Sequence, residues 1–470
     1  MTITELKNDL AEKIRAQTGE NVYLCYQCVK CTAGCPLMEY FDLAPNQVMR
    51  AAQLGMDDTA LQAKTPWLCA SCQTCSTRCP QGIDVARVMD FMVMEARARG
   101  IPAKVPEIAL FNKVFLRDVN VLGRSYELGL ILEMNMRTLK PFKDVPMGLK
   151  MLVKRKVKIV PSVIRVPKAR RVKRIEATAA QIGYYPGCSL HSTAVEYDHS
   201  IRAVAAATGL ELVEPEGWIC CGSSPAHRVD PHLATELPLK NLALLEQTGL
   251  GEVTVPCAMC FSRLRTAGHE IDGDPALKTD MEGRIGHHFE HRPAVRSLLD
   301  VFINRVGLGR IGAQVKTPLA GLKVACYYGC LLTRPPEITG DAHPEYPQSM
   351  DRLLAALGAT PVDWNSKTTC CGASLSLTRT DIVLDLTARI LAEARAAGAD
   401  AVVVACPLCH MNLDARQDQI PADKRPGGAM PILYFTQLMA VALGLSEKEA
   451  ALGKNMVDPR PLLKQKGLLA

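Results

Sequence analysis

The chain has 470 residues, enough for about three domains of ordinary size, and its 48% hydrophobic and 22% charged residues are the balance of a globular protein able to bury cores. The polar N-terminus carries Glu5, Lys7 and Asp9, which excludes a secretory signal, and no apolar run approaches the ~20 residues a membrane helix needs; a soluble, cytoplasmic protein is expected, with attachment to a membrane through a partner left open. The net charge of +7 is local, because eleven Lys and Arg between Lys150 and Arg174 meet no acid while acids outnumber bases elsewhere, and this argues against a general nucleic-acid surface.

Taken in order, residues 1–22 read as a short amphipathic helix with Leu6, Leu10 and Ile14 on one face. Next come Cys25, Cys28, Cys31 and Cys35-Pro36, spaced C-x2-C-x2-C-x3-C-P, and the same spacing returns at Cys69, Cys72, Cys75 and Cys79-Pro80. These runs resemble bacterial-type ferredoxins with two four-iron four-sulfur clusters, in which the fourth cysteine of each run ligates the other cluster. The resemblance implies one cubane cluster on Cys25, Cys28, Cys31 and Cys79, and a second on Cys69, Cys72, Cys75 and Cys35. The stretch between the runs is too long for a compact ferredoxin hairpin and holds an apolar helical pattern over Asn46–Leu54, which points to a helical ferredoxin variant. A pair of zinc sites is the alternative.

Val85–Ala98 has one apolar helical face. Ile108–Met136 predicts one or two helices, broken at Gly123 and Gly129, packing on the cluster domain, with Phe111, Phe115 and Tyr126 as core. The basic stretch with Pro161 and Pro167 follows and reads as a solvated linker lying on acidic protein surface; contact with RNA, DNA or anionic lipid is the other reading.

From Tyr184 the chain repeats itself. Cys188 in Tyr-Pro-Gly-Cys, the Cys220-Cys221-Gly222 turn and the Cys257/Cys260 pair recur as Cys330, Cys370-Cys371-Gly372 and Cys406/Cys409, with equivalent cysteines 142, 150 and 149 positions apart. Short strands are expected near Ile182–Tyr184, Glu211–Val213, Val253–Val255, Lys323–Tyr328 and Ala401–Ala405, so the lone cysteines and the close pairs sit where strands end and helices begin, the ligand-binding edge of a parallel α/β sheet. Adjacent cysteines point in different directions and do not readily serve as two corners of one zinc tetrahedron; five soft thiolates from three loops suit a multi-iron cluster better. Disulfides are the remaining alternative, disfavoured in a chain without a secretory signal. Cys326 alone falls outside these groups and reads as core packing.

Together the paired cubane motifs, the basic segment and the two cysteine-rich repeats resemble heterodisulfide reductase, with its catalytic B-type subunit fused behind its electron-delivering C-type subunit. The segment Cys406-Pro407-Leu408-Cys409-His410 is similar to the most characteristic part of that family's second CCG domain. The resemblance implies an α+α/β chain: a helical two-cluster ferredoxin domain over 1–149, a basic linker over 150–178, and two duplicated Rossmann-like CCG domains over 179–315 and 316–470. It further implies two non-cubane 4Fe-4S clusters, one on Cys188, Cys220, Cys221, Cys257 and Cys260 and one on Cys330, Cys370, Cys371, Cys406 and Cys409, with a disulfide cleaved between them or two thiols joined in reverse. Electrons would come through the two cubane clusters from a flavin-containing subunit or from a membrane cytochrome or quinone-linked partner, since no flavin or nicotinamide fingerprint is present. A pure electron-transfer subunit and a non-enzymatic scaffold remain as alternatives. His410 is a candidate to face a cluster or substrate, and Arg228 and Arg379 are candidates to bind an anionic substrate group.

Overall fold

The computed structural model describes residues 9–162, 164, 178–425 and 427–469. Leu6 and, within the basic segment, residues 163 and 165–177 lie outside them. The expected first helix is present as Asp9–Thr18, which buries Leu10 and Ile14 against Val48, Met89 and Phe91. Pro45–Gln53 and Val85–Ala98 are helices as expected, the latter capped by the Asp84 carboxylate accepting from Arg87 N–H. Two short cysteine loops, one before Pro45–Gln53 and one after it, repeat one backbone pattern: Gln27 and Val29 in the first run, and Ser71 and Gln73 in the second, all adopt left-handed φ angles of 48–66° without being glycine. Strain repeated at equivalent motif positions indicates that both loops are shaped for one kind of ligand.

Pro106–Leu122 ends at Gly123 (φ +76°), as expected, but Glu127–Arg137 runs unbroken through Gly129, whose bare Cα lets the Tyr126 ring lie against it. The first of these helices packs on the cluster domain as expected, Ile108 lying among Leu37, Trp67 and Val93, but the pair also packs on the first repeat. Val114, Phe115, Leu130 and Met134 join Ile219, Ala226 and Leu237 of the first repeat in one apolar cluster, because their apolar faces match the back of the paired-cysteine turn. A further helix, Val145–Val153, follows.

Each repeat forms a four-stranded, wholly parallel sheet. β1 (Gln181–Tyr184), β2 (Glu211–Val213), β3 (Glu252–Val255) and β4 (Ala294–Ser297) lie in the order β2-β1-β3-β4, with Ile182 opposite Leu212 and Val253 opposite Val295. β5 (Lys323–Tyr327), β6 (Thr360–Pro361), β7 (Ala401–Val404) and β8 (Ile432–Tyr434) repeat that order as β6-β5-β7-β8. Identical strand order establishes the duplication in three dimensions. β7 is buried along its whole length, which is why it reads as an unbroken run of valines after Ala401. One apolar core spans both repeats, closed by Tyr197 stacked on Tyr434 at 3.9 Å and by the Ser200–Thr436 hydroxyl pair at 2.7 Å. Cys326 lies in β5 with no exposed surface, a core residue as expected.

The basic stretch is only partly a surface linker. Lys150 pairs with Asp418, but Lys156 is buried and binds the buried Glu196 carboxylate at 2.7 Å, beside His410 and Asp414. It pins the two repeats to the preceding domain.

Candidate functional site

Each lone cysteine follows the end of a sheet strand through a turn that only glycine permits. Gly187 (φ +73°) and Gly329 (φ +71°) are so close to the next loop that a Cβ would stand 3.0 Å from Cys260 Sγ and 2.8 Å from Cys409 Sγ respectively. The preceding tyrosine in each repeat holds the paired-cysteine turn: Tyr185 Oη donates to Ile219 O at 2.7 Å, and Tyr327 Oη to Thr369 O. Cys257 and Cys406 cap the N-termini of Ala258–Gly273 and Pro407–Ala415, where free N–H groups favour anionic sulfur.

These turns bring the predicted thiols together. In the first repeat Cys220 contacts Cys188 and Cys221, Cys221 lies 3.4 Å from Cys260, and Cys260 contacts Cys257. In the second, Cys330 contacts Cys370, and Cys409 contacts Cys371 and Cys406. Cys257 touches Cys406, joining the two sets, and Cys370 touches Cys72 of the N-terminal domain. Cys188 and Cys330 are partly exposed; the other eight are buried. Backbone or amide N–H groups point at sulfur at Cys25, Cys69 and Cys370, at 3.3–3.4 Å. Burial pushes the Cys69 thiol up to about 12, whereas hydrogen bonding from Cys370 pulls Cys72 down. Among the described residues no three His, Cys, Asp or Glu converge on one point as a single ion requires. So many buried soft donors, ringed by N–H groups and glycine turns, fit iron-sulfur clusters, which take thiolates across their own width.

A cavity of about 200 Å³ opens on this site. All five cysteines of the first repeat line it, with Leu408 and Met411 from the second. Phe111 and Phe115, expected as plain core, line it too, and Glu127–Arg137 and Val145–Val153 cover it with Leu130, Ile131, Met147 and Met151. Its lining carries one carboxyl, Glu127, which accepts from Ser192 Oγ at 2.5 Å and Thr193 Oγ1 at 3.1 Å on the turn after Cys188. Burial pushes that carboxyl up against these hydrogen bonds. No spacing marked Glu127; it is a single acid on a helix outside both motifs.

The cations expected near substrate do other work. Arg228 is buried and donates to Trp67 O and Cys69 O, while Asp90 joins it and His227. Burial alone would raise Asp90, but the His227 ring bonded to it and the Arg228 and Arg263 guanidiniums nearby hold it below the usual range. Arg379 pairs with Asp381 at the surface. Arg334, which no motif singled out, reaches Thr74 Oγ1 at 2.6 Å and Thr368 O at 3.1 Å. The Cys69–Cys79 loop is thus gripped by one arginine from each repeat. His410 faces away from the cavity: it is buried, stacked on Tyr434 at 4.1 Å, with Nε2 3.1 Å from Ile432 O.

This architecture is that of a two-cluster ferredoxin domain joined to a duplicated cysteine-rich domain. Residues 24–84 match a 4Fe-4S dicluster domain, and residues 182–265 and 324–414 match the cysteine-rich domain family CCG. The chain is 34% identical over 283 residues to the 8-methylmenaquinol:fumarate reductase membrane anchor subunit of Wolinella succinogenes, covering 60% of this chain and 99% of that one. It is 29% identical over 255 residues to the B-type subunit of the ferredoxin:CoB-CoM heterodisulfide reductase of Methanosarcina mazei, covering 53% and 84%. With the iron-sulfur C-type subunit of the CoB-CoM heterodisulfide reductase of Methanopyrus kandleri it shares 33% identity over 92 residues, 19% of this chain and 48% of that one. The chain belongs to the heterodisulfide reductase family, with a C-type part fused to a B-type part, and is an iron-sulfur oxidoreductase. Among the described residues no helix is long and apolar enough to cross a membrane.

Proposed function

We propose that the chain reduces a disulfide to two thiols, or runs the reverse, in the cavity at the first cysteine-rich repeat. The observation that carries this reading is the continuity of thiols: five line the cavity, and the Cys257–Cys406 contact joins them to the second set. In this reading the domains divide as 1–149, 150–178, 179–315 and 316–470. Cys25, Cys28, Cys31 and Cys79 hold one cubane cluster and Cys69, Cys72, Cys75 and Cys35 the other. Cys188, Cys220, Cys221, Cys257 and Cys260 hold one non-cubane cluster, and Cys330, Cys370, Cys371, Cys406 and Cys409 its twin. Clusters bound there supply electrons one at a time, two being needed.

Breaking one S–S bond takes up two electrons and two protons and releases two thiols. The chain's own side chains supply the rest of what that requires. Phe111, Phe115, Met147 and Met151 give the cavity an apolar wall. Glu127 is placed to give a proton to a departing sulfur at its carboxyl oxygen, held there by Ser192 and Thr193. The Cys72–Cys370 contact brings the N-terminal domain to the second repeat at their ligand side chains. The reductant is a flavin-containing electron-transfer subunit or a membrane cytochrome or quinone-linked subunit, through which the chain is attached to a membrane.

A second reading, a relay between a quinone-linked partner and another subunit without disulfide chemistry, is favoured by the likeness to the fumarate reductase subunit. Iron and acid-labile sulfide per chain, with EPR of thiol-treated oxidised protein, separate the two. About sixteen irons and a new paramagnetic signal on adding a thiol are expected. Full iron without any thiol response leaves the relay; about eight irons removes the repeat clusters and the proposal with them.

A further inference from the structure

The helices that cover the cavity have an outer face unlike the rest of the molecule. Among the described residues eighteen large apolar side chains are exposed, and ten of them lie between Leu132 and Val160. Leu132 and Met136 stand one turn apart on Glu127–Arg137, and Leu149 and Val153 one turn apart on Val145–Val153. Leu139 and Phe142, 88% and 83% exposed, crown the connection between them, and Val153 is 84% exposed. In a water-soluble surface such a row at helical spacing costs free energy that nothing within the described chain recovers.

The charges around this row are mainly positive, the acids near it being Glu133, paired with Arg137, and Asp418, paired with Lys150. Arg137, Lys140, Lys150, Arg155 and Lys158 are exposed beside it. From Met136 to Ser162 the sequence holds one acid, Asp144, and that carboxylate is turned inward onto Arg416 and Gln419. The basic character continues in sequence, with eleven Lys and Arg and no acid between Lys150 and Arg174. Apolar side chains on one helix face, bordered by cations, match a lipid surface at both depths: acyl chains for the first and phosphates for the second.

We propose that the outer face of Glu127–Arg137 and Val145–Val153 lies in the surface of an anionic lipid bilayer, so that this chain binds lipid directly. The inner sides of the same helices line the cavity, so the bilayer and the cavity stand about one helix diameter, ~10 Å, apart. The inference does not depend on what the cavity reduces.

The test is sedimentation of the anaerobically purified full chain with vesicles of phosphatidylcholine alone or mixed with phosphatidylglycerol. Binding is expected to the mixed vesicles, weakening as salt rises. The triple variant Leu139→Glu, Phe142→Glu, Val153→Glu should bind roughly tenfold or more weakly, and Lys140→Gln with Lys158→Gln about fivefold or more weakly on mixed vesicles only. These side chains are exposed, so unchanged iron content serves as the folding control. A Phe142→Trp variant should show blue-shifted emission, quenched by bilayer-buried brominated lipid. Wild-type protein that ignores both vesicles, or a triple variant that binds like wild type, overturns the proposal. So does a wild-type dimer that the triple variant converts to monomer without any vesicle binding, since a second copy then covers the face.

Discussion

The two cysteine-rich repeats share strand order, the glycine that brings the lone cysteine against the close pair, and the tyrosine hydroxyl that fixes the paired-cysteine turn. They differ in their neighbours. The first turns all five thiols to a cavity closed by helices from earlier in the chain. The second turns Cys370 to Cys72 and lends the cavity only side chains around its cysteines, such as Leu408 and Met411. Duplication supplied two equal sets of cysteines, and different elements of the chain then packed on each. Under the proposed function, electrons arrive at the second repeat and substrate at the first.

The sharpest way to break this asymmetry is to remove one thiol from each repeat. Cys221→Ala is expected to abolish both turnover and the thiol-induced EPR signal. Cys371→Ala should lower turnover more than about 100-fold while the first repeat still answers a thiol. Equal loss of the signal in both would show that substrate sits equally on the two sets. Next in size is Glu127→Gln, expected to slow disulfide cleavage by about 100-fold with cluster content unchanged. Because burial raises this carboxyl, wild-type rates should fall as pH rises through its folded pKa, and the variant's should lack that limb. The same sign holds for stability: the buried charge costs most above that pKa, so the variant should melt higher at alkaline pH and lose its advantage as the pH falls.

A smaller effect is expected at the arginines that grip the Cys69–Cys79 loop. Arg228→Ala leaves Asp90 and His227 buried without their neighbour and should cost about 3 kcal/mol in denaturant unfolding. Arg334→Ala removes the grip from the second repeat, and stopped-flow reduction should show slower electron arrival there. If Arg228→Ala slows arrival more than Arg334→Ala, electrons enter through the first repeat and the division of tasks is reversed.

Much of this was legible in the residue order alone. Cysteine spacing located both kinds of loop, and short apolar runs located β1, β2, β3, β5 and β7, because cysteine motifs and buried strands impose strict local patterns. β4 escaped because Arg296 interrupts a four-residue strand, and β8 because it has only three residues after Pro431. Gly129 misled, since a glycine under the Tyr126 ring favours packing over a break. Glu127, Arg334 and the cavity-lining face of Phe111 were invisible for one reason: each acquires its role from a partner a long way off in sequence, and no local pattern records it.

The mildest test of the asymmetry uses acid. Each repeat packs a tryptophan on its tyrosine, Trp218 on Tyr185 at 5.3 Å and Trp364 on Tyr327 at 6.2 Å. Trp364 Nε1 donates to the backbone oxygen of Cys326, which does not titrate, whereas Trp218 Nε1 donates to the Glu214 carboxylate at 2.9 Å. Glu214 is partly buried, which alone would raise it, but hydrogen bonds from His191 and Trp218, with Arg202 beside them, bring it down to about 2. A carboxyl depressed in the folded state gives stability above its unfolded pKa, near 4.5, that is lost as pH falls towards 2. Glu214→Gln should therefore cost about 1–2 kcal/mol near neutrality, the gross value discounted for solvent, and the difference from wild type should vanish below pH ~2. Followed by tryptophan emission in Trp218→Phe and Trp364→Phe backgrounds, acid should loosen the Trp218 environment first. Simultaneous loss at both tryptophans would mean that the shared core couples the repeats more tightly than their different ligands separate them.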